Sequence, residues 1–145
     1  MDKPAQAYRW IGVRNCQAFL WAMYAEYEGL SVASFEGQLA PLHLHEIPGA
    51  SDARHPWLPN EIDGPGSDYW TMPINATTIA MLKAKLSGPR VLGQHGIVVH
   101  THLATEGRLI LSACDQFHKE CVRVSPDVPL SLLDRLLANG VLSHI

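Results

Sequence analysis

The stretch GIVVHTHLATEGRLILSA, residues 96–113, decides the fold class. Gly96 to Leu103 is rich in β-branched residues, Ala104-Thr105-Glu106-Gly107 has the make-up of a tight turn, and Arg108 to Ala113 returns in extended form. The stretch therefore predicts a β-hairpin, and Cys121 to Val124 predicts a further strand beside it. Hairpin-linked strands pair antiparallel, so any sheet built on this unit has one face free to pack on helices.

Three segments around the hairpin carry helical periodicity. In residues 15–28, Cys16, Phe19 or Leu20, Met23 and Tyr27 recur at steps of three and four, with Asn15 as N-cap and Gly29 as stop. An alternative reading turns a strand pair at Glu28-Gly29, because Leu30, Val32 and Phe35 suit extended structure. Residues 75–86 form a second helix, capped by Asn75, lined by Ile79, Leu82 and Leu86, and ended by Gly88-Pro89. Residues 130–138 form the third, with Pro129 at its mouth and Leu130, Leu133 and Leu137 on one face. Leu39 to Ile47 predicts a short strand interrupted by Pro41, and Val141 to Ile145 a terminal one.

Residues 48–73 change character. Five prolines and three glycines exclude a helix and remove amide donors from a sheet, yet Trp57, Leu58, Ile62, Tyr69 and Trp70 are too apolar for a solvated linker. The expectation is a long irregular loop, ordered by its aromatics. The whole reads as one α+β domain over residues 1–145: a small antiparallel sheet, about three helices and that loop.

Composition narrows the function. With 47% hydrophobic and 17% charged residues in 145, the chain is a packing sequence, not a disordered one. A net charge of −3 with scattered Lys and Arg argues against nucleic acid as partner. No apolar run approaches the ~20 residues that span a bilayer, so no membrane is expected. The first ten residues, MDKPAQAYRW, lack the apolar core of a secretion signal, which predicts a cytoplasmic protein whose Cys16, Cys114 and Cys121 are free thiols. The Asn75-Ala76-Thr77 triplet matches a glycosylation acceptor but is expected to be silent there.

Eight histidines are the unusual feature. Two pairs are spaced His-x-His, His43 with His45 and His100 with His102. On a strand this spacing puts both rings on one face about 7 Å apart, within reach of one metal ion. His118 and the thiols of Cys114 and Cys121 add donors that zinc prefers, although six residues lie between the two cysteines instead of the usual two to four. Against a metal stands the ordinary fate of a strand histidine, which is to meet solvent or a backbone carbonyl. Cys114, Asp115 and His118 also resemble a nucleophile, an orienting acid and a base; the competing reading is a tight turn in which Asp115 accepts from backbone amides. Glu61 and Asp63, among the loop carboxylates, offer acid–base chemistry if the loop lines a cleft.

With no catalytic signature, the leading expectation is a small non-catalytic interaction protein, adaptor- or immunity-like, without a cofactor. It would contact another protein through Trp57, Tyr69 and Trp70 of the loop and through the hairpin end near residues 114–121. The alternative is a zinc-type hydrolase built on the His-x-His pairs.

Overall fold

The computed structural model describes residues 7–62 and 66–145. Within them the chain is α+β, with three helices, a six-stranded antiparallel sheet and a two-stranded one. Strands β1 (Arg9–Trp10) and β2 (Gly12–Val13) precede helix α1 (Cys16–Glu26) and strand β3 (Ser31–Gly37). Strand β4 (Asp68–Ile74), helix α2 (Ala76–Leu86) and strands β5 (Val98–Thr105), β6 (Arg108–Ala113) and β7 (Val122–Val124) follow. Helix α3 (Leu130–Ala138) and strand β8 (Leu142–His144) complete the order. The large sheet runs β1-β7-β6-β5-β3-β4, and β2 pairs with β8.

Local chemistry sets most of the element ends. Asn15 accepts from the Ala18 amide at 3.0 Å, and Asn75 forms a reciprocal capping box with Thr78. The β5–β6 hairpin turns at Glu106 and Gly107 with φ of 48° and 78°, the positive pair that a two-residue type I′ turn requires. Gly37 ends β3 at φ 148°, where a Cβ would stand only 2.0 Å from the Ile97 carbonyl oxygen, so this bulge admits no side chain.

Register divides the large sheet into two unlike faces. One cross-strand row, Thr71–Ser34–His102–Ser112–Arg123–Trp10, spans all six strands. The neighbouring row, Trp70–Phe35–Thr101–Ala113–Val122, points the other way because successive side chains alternate. Phe35, Ala113 and Val122 of this second row share the core with Phe19, Leu20 and Met23 of α1, Leu82 and Leu86 of α2, and Leu132 and Leu133 of α3. Each of these except the smaller Ala113 contributes about 1.5–3 kcal/mol on burial. The helices thus take the apolar face, and the row that carries His102 lies on the opposite one.

Four expectations need correction. Residues 68–73, expected as the end of the loop, belong to strand β4; β4 is the sheet's edge, where Pro73 can pair with Val32 without breaking a second ladder. Residues 39–47 form two 3₁₀ turns, Ala40–Leu42 and Leu44–Glu46, joined by His43 at φ 51°; Pro41 is the second residue of the first turn and does not interrupt a strand. Residues 31–37, only an alternative in the sequence, form a strand flanked on both sides. Helix α3 buries Leu132, Leu133 and Leu136 and leaves Leu130 and Leu137 exposed, one residue round from the expected stripe. No described helix is long and apolar enough to cross a membrane.

Candidate metal centre

His100 and His102 lie two apart on β5 and share its polar face, as the His-x-His spacing requires. Thr101 pairs with Ala113, so the next position outward sets His100 against Cys114, just past the end of β6. The Cys114 amide donates to the Cys121 carbonyl at 3.0 Å, which extends the β6–β7 ladder by one pair and fixes the base of the thiol.

The third donor comes from a loop far away in sequence, and a buried acid brings it in. Glu36 sits on β3 opposite His100 and is fully buried. Its Oε1 accepts the Glu61 amide at 2.7 Å and the Ile62 amide at 3.4 Å; Asn60, with its amide nitrogen toward the carboxylate, donates to it at 2.6 Å. One carboxylate thereby ties residues 60–62 across the sheet face. Its other oxygen, Oε2, is buried and has no hydrogen-bond partner. Burial pushes the Glu36 carboxyl up, with the amides of Ile62 and Glu61 pulling against that shift.

Glu61 is thereby placed among the β5 and β6 side chains. Its Oε2 accepts from Cys114 Sγ at 3.1 Å and lies 3.7 Å from His100 Nδ1, while Oε1 lies 3.4 Å from His102 Nε2. Cys114 Sγ is 3.9 Å from His102 Nε2 and 3.5 Å from Ser112 Oγ. Donors held at zinc distances around a tetrahedral centre stand about 3.3–3.8 Å apart, and these separations bracket that range. Donor atoms of Glu61, His100 and Cys114 all fall within 4.8 Å of one another. The side chain of His102 is wholly buried, that of His100 is 15% exposed and that of Glu61 38%, so the group opens to solvent on the Glu61 side.

Burial drives His102 down to about 4, against the opposing pull of Glu61, and its ring is therefore neutral at physiological pH. Nδ1 lies 3.4 Å from Ser34 Oγ. In one tautomer Nε2–H faces Glu61; in the other Nδ1–H donates to Ser34, and the Nε2 lone pair meets the carboxylate with nothing between them. Burial, reinforced by Glu61, raises the Cys114 thiol to about 11, so by itself it is protonated and a poor nucleophile. Among the described residues, the Lys and Arg ion pairs join Lys85 to Glu46 and Arg108 to Asp127, so neither Glu36 nor Glu61 has such a partner.

Beyond Cys114 the backbone takes an unusual path. Asp115, Gln116 and Phe117 have φ of 49°, 57° and 60°, three consecutive non-glycine residues in the left-handed region. Each costs about 1–2 kcal/mol, and such strain collects where a ligand or mechanism depends on it. The Asp115 amide donates to His100 Nδ1 at 3.1 Å, which ties this turn to the centre.

The expected Cys114–Asp115–His118 trio is not assembled as nucleophile, acid and base. Cys114 turns to Glu61, Ser112 and His102, while Asp115 and His118 gather with Cys121. His43 and His45 are exposed on the 3₁₀ turns, with ring centroids 5.8 Å apart and donor atoms close to those of Glu46. Trp57 is 39% exposed, Tyr69 is buried and Trp70 half-buried; the last two alternate along β4 and face opposite ways. Asp63 lies outside the described residues. Glu36 was missed because a single acid between Phe35 and Gly37 has no motif, and its partners are more than twenty residues away.

Comparison with known protein families, characterised proteins and solved structures finds no match, so any functional assignment rests on the chain's own geometry.

Proposed function

We propose that the protein binds a zinc-type divalent ion through Glu61, His100 and Cys114, and that the fourth position, beside His102, is open for hydrolytic chemistry. The observation that carries this reading is the convergence of three different donor types from three segments onto one polar sheet face. Carboxylate, imidazole and thiolate are the donors zinc takes, and three protein ligands with one open position is the catalytic pattern. A cation would also resolve the local electrostatics: it would compensate two carboxyl groups without a Lys or Arg partner and displace the high-lying Cys114 proton. Binding at His100 Nδ1 would take the lone pair that accepts the Asp115 amide.

The chemistry at such a centre is activation of water, whose pKa an ion of this kind lowers to about 7. His102, neutral and fixed through Ser34, would orient that water by accepting from it at Nε2. The test is zinc affinity measured against a competing chelator in the full chain, in His100→Ala and in Cys114→Ser. Loss of one equivalent of zinc in both variants, with the fold retained, supports the reading. Unchanged affinity in both variants refutes it.

A second reading keeps the chain as a non-catalytic interaction protein, now centred on Trp57. This ring stacks edge-on to His55 at 5.2 Å and stands 3.8 Å from the Cβ position of Gly107, yet remains substantially exposed. Large exposed aromatics favour contact surfaces. The two readings separate on Trp57→Ala, which the metal reading expects to leave zinc affinity intact.

A further inference from the structure

We propose that Asp115, His118 and Cys121 hold a second divalent ion beside the first, so that the polar face carries a two-ion centre. The placement next to the first ion rests on the function proposed above, but the donors are different residues. Asp115, His118 and Cys121 are spaced by three, and the left-handed turn folds that spacing inward until one donor atom from each lies within 4.8 Å of the others. The backbone of the segment is held by its own bonds, His118 N–H to the Asp115 carbonyl at 3.0 Å and Cys121 N–H to the His118 carbonyl at 2.8 Å. The Glu120 amide donates to His118 Nδ1 at 3.3 Å and orients the ring.

Three features point to a cation there. The donor set is again carboxylate, imidazole and thiol, the mixture that suits zinc. The sequence places Asp115, Gln116 and Phe117 in a left-handed turn that glycine would adopt without strain, and Asp115 is the residue that this turn presents. Burial is the first cause that raises the Cys121 thiol, and the carboxylates of Asp115, Glu120 and Glu61 stand near enough to add to it. The groups are joined by the Cys114 N–H bond to the Cys121 carbonyl at 3.0 Å and by the peptide between Cys114 and Asp115. An ion at either group therefore lies against the backbone that carries the other. Adjacent ions of this sort clamp the attacking and leaving oxygens in many hydrolytic sites.

The experiment is a cobalt(II) titration of the full chain, read by thiolate-to-cobalt absorption and by equilibrium dialysis, with far-UV circular dichroism on every variant. The wild-type chain should take up two equivalents. His118→Ala/Cys121→Ser should take up one and keep the absorption due to Cys114, while His100→Ala/Cys114→Ser should keep the other. Asp115→Asn, which tolerates the left-handed conformation, should weaken the second equivalent alone and guards against loss of the turn. A single equivalent in wild type, unaffected by His118→Ala/Cys121→Ser, overturns the second ion and leaves the first standing. An equivalent lost in His118→Ala/Cys121→Ser but indifferent to His100→Ala/Cys114→Ser keeps the second ion and overturns the first.

Discussion

The two faces of the large sheet are built from the same strands and solve opposite problems. On one, Phe35, Ala113 and Val122 meet three helices and exclude water through area alone. On the other, Ser34, Glu36, His102 and Ser112 are as deeply placed but polar, His100 is partly exposed, and residues 60–62 cross the face on Glu36. An apolar face needs volume, and many sequences supply it. A buried polar face needs every group partnered, and Glu36 Oε2, the His102 ring and the Cys114 thiol are not fully settled by protein atoms. The first face is thus settled by packing alone, and the second is where the proposed function is placed.

This contrast breaks most visibly at Phe35. Phe35→Ala should cost about 3–5 kcal/mol of folding stability, seen as a lower denaturant midpoint. A loss as large from Ser34→Ala, its neighbour on the polar face, would erase the distinction. The next effect is acid sensitivity. His102 takes its proton near 6.5 when unfolded and only near about 4 when folded, so the neutral ring contributes stability above pH 6.5 that is lost as pH falls through 4. The size is on the order of 3 kcal/mol, and His102→Asn should flatten urea midpoints measured between pH 7 and 4. A profile equally steep in that variant would place the acid sensitivity elsewhere. Glu36→Ala should release residues 60–62 and weaken zinc binding about 10–100-fold, the usual effect of removing a group that orients a ligand. Affinity unchanged in that variant would show that Glu61 needs no such anchor. At the small end, His43→Ala/His45→Ala should shift stability by no more than about 0.5 kcal/mol and leave the affinity of the Cys114 centre unchanged. Equal losses from the two His-x-His pairs would mean that spacing alone, without a strand beneath it, makes a ligand pair.

What could be read from the sequence was local. Asn15, Asn75 and the Glu106-Gly107 turn are short-range signals, and the elements they bound appear within a few residues of their expected ends. Strand β3 was less legible because Ser31-Val32-Ala33-Ser34-Phe35-Glu36-Gly37 mixes small and polar residues whose burial comes from neighbours on both sides. Strand β4 was hidden by Pro73, a residue that an edge can hold and a central strand cannot. Of the centre, the β5 histidine pair was visible as a spacing and Cys114 as a donor. Their meeting with Glu61 was not, since 53 residues separate Cys114 from Glu61 and the tie runs through Glu36. Nothing in the order of residues says that a proline-rich loop folds over the polar face.

The most direct measurement is a crystal of the zinc-loaded chain with anomalous data collected at the metal's absorption edge. A peak bonded to Cys114 Sγ, a His100 nitrogen and a Glu61 oxygen, each at about 2.0–2.3 Å, is the result expected. Density at saturating zinc only around the His43–His45 turn, with Glu61 still hydrogen-bonded to an intact Cys114 thiol, would contradict it.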